Sequence, residues 1–270
     1  MGYDLQMHQK MLAVAVLASA LALPAIPAVA QTGGTRTGTI SGRIVLKGPA
    51  PANPIIRMGA DPMCGRMNPG KRPVQEIVIA GAGGGLANAF VHVTGAVPAG
   101  AGTAQQGVLA QKHCIYAPRG IGVRAGQPLS IRNDDNLMHN VHGISNKGQE
   151  FNVSQPKAGM VYKATLQKEE VMVHVKCDVH SWMNAYIGVV PHSLYAVSDG
   201  AGAFTIANVP PGRRTVSVWH ERYGELTGTV DVKAGQTATL ELSYPGATKT
   251  AAAHVRELVV PAEEIGRAHV

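Results

Sequence analysis

Aromatic side chains are scarce, only 4% of 270 residues. With few rings, and with Lys and Arg dispersed and not gathered into a stripe, the chain lacks the stacking platforms and basic track of a nucleic-acid binder. Charged residues are sparse too, at 15%. Beyond residue 30 no apolar run is long enough to span a bilayer, so no integral membrane segment is expected in the mature chain. The glycine cluster at 81–85 is followed by neither Lys-Ser/Thr nor a helix start, which excludes a phosphate-binding loop and leaves a turn. Cysteine is limited to three residues, and none sits in the paired short spacings of a zinc site.

What is present favours strands. Hydrophobic residues reach 45%, and 32 glycines accompany many Val, Ala and Thr, so short strands joined by turns are expected over helices. The fold class read from composition is all-β, in one or two domains. Lys10 precedes an apolar run from Met11 to Leu23, and Ala28-Val29-Ala30 offers the small residues of a cleavage site. Residues 1–30 therefore read as a signal peptide, and the product as periplasmic or secreted. They carry one basic and one acidic residue, Lys10 and Asp4, so the net charge of +7 survives their removal. A mildly cationic surface would steer an acidic protein partner or an anionic membrane face. At the other end, residues 246–270 read as a disordered tail. Its last seven residues, Glu264 to Val270, match the in-frame translation of a common sequencing adapter and are set aside as one would a fusion scar.

The chemistry concentrates in one stretch. Alternation from Val173 runs into Cys177, His180 and Met183 before a second strand begins. Cys-x-x-His-x-x-Met places a thiolate, an imidazole and a thioether on one short loop, a donor set that suits copper in both oxidation states. A second imidazole is needed, and His139, in a polar turn between two strands, is the best candidate. His142 is the alternative, but strand alternation would direct it to the opposite face, as it would His174. His92, His192 and His220 read as strand or turn residues. Trp219-His220-Glu221 is held as a pair-bearing segment that would line a domain interface. A catalytic reading, with Cys177 as nucleophile and His180 as its base, leaves Met183 and the upstream Asn-x-Asp-x-x-x-His pattern unexplained.

From about Val108 to Val190 the chain resembles the cupredoxin family, with a Cys-to-Met loop most like that of amicyanin. The resemblance rests on Tyr116-Ala-Pro118 with Ile121 and Val123, Gly126, Asn133 with Asp135, His139-Asn140-Val141, and the loop ending at Met183. It implies one mononuclear copper ion, with His139, Cys177 and His180 as equatorial ligands and Met183 as the axial one. It also implies that Asn140 bonds across to the cysteine loop, and that Asn133 and Trp182 support the site. Val173, His174 and Val175 depart from the aromatics that commonly precede the cysteine in this family. If Cys177 holds metal, Cys64 and Cys114 remain, and an oxidising compartment would favour a disulfide between them; two separate buried thiols are the alternative.

Residues 38–95 and 192–244 flank this segment with a different pattern. Ile40-Ser-Gly-Arg-Ile-Val, Ala87-Asn-Ala-Phe-Val-His-Val, the Val209-Pro-Pro-Gly212 turn and an expected closing hairpin around Ala234-Gly235 resemble the carboxypeptidase regulatory-like, transthyretin-type β-sandwich. The expected architecture is thus a cupredoxin Greek-key sandwich at 107–190 inserted into that second sandwich; an N-terminal extension of the cupredoxin sheet followed by a separate C-terminal sandwich is the alternative. Within the flanks, 49–73 read as a long loop and Glu76 to Ala80 as a short strand. The function implied is an exported electron carrier that docks a redox partner protein around a partly exposed His180. A copper-holding protein without redox traffic is the alternative. The extra His pairs of a catalytic copper cluster are missing, so no enzyme activity is expected.

Overall fold

The computed structural model describes residues 36–246, so the expected signal peptide and nearly all of the expected tail lie outside the described residues. The described residues are nearly all β, in sixteen strands. In order these are β1 (Gly38–Leu46), β2 (Phe90–Thr94), β3 (Gly107–Lys112), β4 (Ile115–Ala117), β5 (Gly120–Arg124), β6 (Pro128–Asn133), β7 (His139–Ile144) and β8 (Phe151–Gln155). There follow β9 (Val161–Thr165), β10 (Glu170–Lys176), β11 (Asn184–Val190), β12 (Tyr195–Val197), β13 (Ala203–Val209), β14 (Gly212–His220), β15 (Gly224–Val232) and β16 (Thr237–Tyr244). Among the described residues there is a single α-helix, α1 (Pro62–Met67).

Strands from the two ends of the chain build one pair of sheets, in the orders β13-β1-β16 and β12-β2-β14-β15. The middle of the chain builds another pair, β5-β11-β10-β7-β8 and β4-β3-β6-β9. Each pair encloses its own core. Ile40, Ile44, Val91, Phe204 and Val216 belong to the outer core, and Leu109, Ile131, Val141, Val175 and Ile187 to the central one. Alternation explains the segregation. In β1, Ile40, Ile44 and Leu46 are buried at even positions while the residues between them are not, so one face meets the core and the other meets water.

The two sandwiches meet on a notch made by missing side chains. Gly122 of β5 and Gly188 of β11 are partners across a parallel ladder. A Cβ on Gly188 would lie 2.5 Å from the ring of Phe90, and one on Gly122 would lie 2.8 Å from it. Glycine at both places lets Phe90, fully buried, seat its ring on the central sheet. Beside this contact Arg119 and Glu221 form a two-pronged, largely buried ion pair, with Arg119 Nη2 2.8 Å from Glu221 Oε2. Trp219 packs on Tyr186 with ring centroids 5.0 Å apart. The Trp219-His220-Glu221 segment thus divides its roles: the first and third residues bridge the sandwiches, while His220 turns into the outer core.

Three local expectations are corrected. The strands at Gly224–Val232 and Thr237–Tyr244 do not form a hairpin ladder. β15 pairs with β14, whereas β16 crosses to the other sheet and runs parallel to β1 over eight residues, because both faces of the outer core need covering. Glu76 to Ala80 is not a strand: Ala80 makes only an isolated bridge to Leu86. The segment at 49–73 is not merely a loop, since it contains a 3-10 turn at Met58–Ala60 and α1. The Asp61 side chain starts that helix by accepting from the Met63 and Cys64 amides, with Pro62 preset for the first turn.

Candidate metal centre

Two loops at one end of the central sandwich bring the chemistry together. The first is the polar turn between β6 and β7. Asn133, fully buried, donates from Nδ2 to the Leu137 and Gln155 carbonyls and accepts the Asp135 amide on Oδ1, which fixes the turn and delivers His139 at the start of β7. The second is the loop between β10 and β11. There the Cys177 amide donates to Met183 O, and the Met183 amide to His180 O, closing a tight arch around His180.

Inside the arch the donor atoms of His139, Cys177 and His180 lie within 4.8 Å of one another, all buried. His139 Nδ1 is 3.1 Å from His180 Nδ1, and Cys177 Sγ is 3.8 Å from His180 Nδ1. Met183 is fully buried in the same core as Cys177. The amides of Asn140 and His180 both donate to the Cys177 sulfur, at 3.4 Å each. Asn140 also accepts the Asp178 amide on Oδ1 at 3.1 Å, linking β7 to the cysteine loop. Burial pushes the Cys177 thiol up, but hydrogen bonds from both imidazoles and both amides outweigh it and bring the pKa down to about 6. The same hydrogen bonds favour the thiolate, the form that metal ligation requires. For His139 and His180 burial opposes protonation. It is overcome by hydrogen bonds to Asp135 and Cys177 in one case and to Cys177 and Asp61 in the other, so both sit above the ordinary histidine value.

The outward nitrogens are equally well held. His139 Nε2 donates to Asp135 Oδ2 at 2.9 Å, and Asp135 in turn accepts the His113 and Cys114 amides. Cys64 and Cys114 form a disulfide, which pins α1 against the site. Trp182 donates its indole N–H to Cys114 O at 2.9 Å and packs against the His180 ring with centroids 5.1 Å apart.

One expected feature changes. His180 is not a surface edge: it is 1% exposed, covered by the strap that carries Asp61 and Cys64. Among its neighbours in the chain only Val179, at 46%, is well exposed and apolar. Asp61 was not among the candidate site residues, yet it reaches His180 from 119 residues away. Its sequence signal, Asp before Pro at a helix start, announces a cap and nothing about a metal site.

The other histidines separate cleanly. His142 pairs with Asp178 on the outside of the sheet, and His174 bonds Asn184 and stacks on Tyr186. His113 contributes its backbone, the amide donating to Asp135 and the carbonyl accepting from Asn68, at a positive φ of 55°.

The residues present fit a metal ion. One cysteine sulfur and two imidazoles converge, and the 3.1 Å Nδ1–Nδ1 and 3.8 Å Nδ1–Sγ separations are both shorter than two ordinary metal–ligand bonds end to end, about 4 Å. No helix among the described residues is long and apolar enough to cross a membrane.

No family model matches the chain, and no curated protein does. Among solved structures it is similar to a purple cupredoxin from Nitrosopumilus maritimus, at 19% identity over 31% of this chain and 99% of that one, with a TM-score of 0.27. It is also similar to a methionine-to-alanine mutant of amicyanin in its Cu(I) form, at 19% identity over 37% of this chain and 97% of that one, with a TM-score of 0.28. A reduced tryptophan-to-tyrosine mutant of amicyanin matches at 20% identity with the same coverage and TM-score.

Proposed function

We propose that this is an exported mononuclear blue-copper protein that passes electrons to or from a protein partner. The observation that carries the reading is the convergence of His139, Cys177 and His180 around one point, with the thiol already biased to thiolate. Bound there, copper would supply one-electron chemistry between Cu(II) and Cu(I). Cys177, His139 and His180 would hold it, together with Met183, which is buried on the same arch. The chain's own contribution is rigidity. Both imidazoles are tied down at their outer nitrogens, and the thiolate receives two amide hydrogen bonds, so the donors stay in place whichever charge the site carries. Partner docking is supported by Met138 and Val179, each preceding one of the two histidines and each 46% exposed. Export is supported by the Cys64–Cys114 disulfide, which belongs in an oxidising compartment. The flanking strands would serve as a carboxypeptidase regulatory-like scaffold that holds the copper domain.

A copper-holding protein without redox traffic is the second reading, and the burial of His180 under the strap favours it. Copper-loaded protein should be intensely coloured by thiolate-to-Cu(II) charge transfer, and Cys177→Ser should bleach it while leaving the fold intact by circular dichroism. A colourless protein that prefers zinc sinks the blue-copper reading. Fast, reversible voltammetry selects electron transfer over holding.

A further inference from the structure

The strap does more than cover His180. His180 Nε2 has two neighbours, Asp61 Oδ2 at 3.2 Å and the Cys64 sulfur at 3.5 Å. A carboxylate oxygen and a disulfide sulfur are both acceptors only, and the Asp61 contact at 3.2 Å is shorter than the 3.8 Å from Nδ1 to the Cys177 sulfur, so the single proton of the neutral ring sits on Nε2. That leaves the Nδ1 lone pair facing His139 and Cys177. The same logic recurs across the disulfide. Asp61 accepts the amide of Cys64 and holds His180, whereas Asp135 accepts the amide of Cys114 and holds His139. Two carboxylates, each on its own half of one disulfide, grip the outer nitrogens of the two histidines.

We propose that Asp61 is a positioning residue for the metal centre, fixing the tautomer and ring orientation of His180 from a strap that lies outside the central sandwich in sequence. The inference rests on the reading of His180 as a ligand and extends it to the flanking segment. The two oxygens of Asp61 divide the labour, which makes the idea separable from simple folding. Oδ1 takes the cap hydrogen bond from Met63 N at 2.7 Å and that from Cys64 N at 3.2 Å, while Oδ2 faces His180. In D61N the remaining oxygen keeps the cap, and an NH2 donor replaces the acceptor facing Nε2. The imidazole proton is then driven to Nδ1, where it blocks the metal. In D61A the cap is lost, but nothing forces the wrong tautomer.

The test compares wild type, D61N and D61A as full chains, with Cu(I) titrated against a competing chelator. D61N should bind Cu(I) about 10–100-fold more weakly, the usual consequence of removing a ligand's outer partner, while its metal-free melting temperature stays near wild type. D61A should lose more thermal stability and less affinity. Nitrogen-15 imidazole correlations on the metal-free proteins should place the neutral His180 proton on Nε2 in wild type and on Nδ1 in D61N. The same tautomer in both overturns the inference whether or not copper binds. D61N with wild-type affinity overturns it as well, even if the wild type is blue. A wild type with the Nε2 tautomer but no copper affinity leaves Asp61 in its orienting role and overturns the blue-copper reading alone.

Discussion

The two sandwiches bury histidines in opposite ways. In the outer one, burial pulls His92 and His220 down to about 4, and it lowers His192 as well. Their partners are backbone groups: His192 bonds Val93 O, and His220 Nδ1 accepts the Arg222 amide while its Nε2 stays unpartnered. These rings are packing elements that remain neutral. In the central sandwich, His139 and His180 are likewise buried yet shifted upward, because each lies between the Cys177 sulfur and a carboxylate. Burial alone therefore does not mark a functional histidine. The mark is a buried ring whose two nitrogens are both addressed by anionic groups that are themselves fixed.

That contrast can be broken at its joint. Phe90→Ala removes the ring seated on Gly122 and Gly188, and should cost about 3–5 kcal/mol of stability in denaturant unfolding, since the glycines offer nothing to refill the cavity. The Cys177 colour should persist in the folded fraction. Wild-type stability after this substitution would mean that the sandwiches do not depend on each other.

Acid sharpens the contrast. His92 and His220 titrate near 6.5 when unfolded and near 4 when folded, so the unfolded chain binds more protons between those values. Their contribution is complete above pH 6.5 and is lost as pH falls to 4, by roughly 3 kcal/mol per histidine at the acid end. For His139 and His180 in metal-free protein the sign reverses: with raised folded values, their contribution is present below 6.5 and lost as pH rises through the folded pKa. Unfolding measured against pH should show the acid loss flattened in a His92→Asn, His220→Gln double variant and retained in His139→Gln.

The smallest effect concerns His142, 30% exposed on the outer face beside Asp178. His142→Ala should leave copper affinity within about twofold of wild type, because a surface pair of this kind carries little energy. A loss comparable to that of His139→Ala would reassign the ligand.

Much of this was legible in the residues. Alternation located β1 and the strands on either side of Cys177, and the Val209-Pro-Pro-Gly212 turn lies between β13 and β14. The Cys-x-x-His-x-x-Met spacing placed its three residues on one arch, where spacing constrains geometry. The route of β16 was not legible: its alternation suits pairing with β15 or with β1, and only the need to cover the outer core chooses β1. Nor was the cover over His180, since a Pro/Gly-rich segment with one acid and one cysteine says nothing about what it lies upon.

By itself, then, the amino-acid order determined the strand class, the two apolar patterns and the local donor cluster, all of which depend on neighbours a few residues apart. Only the tertiary structure decided that Asp61 meets His180, that Phe90 finds two glycines, and that the chain's two ends share a sheet. Those contacts join residues up to 200 positions apart, where pairing is selected by the packing of whole cores and not by any local preference.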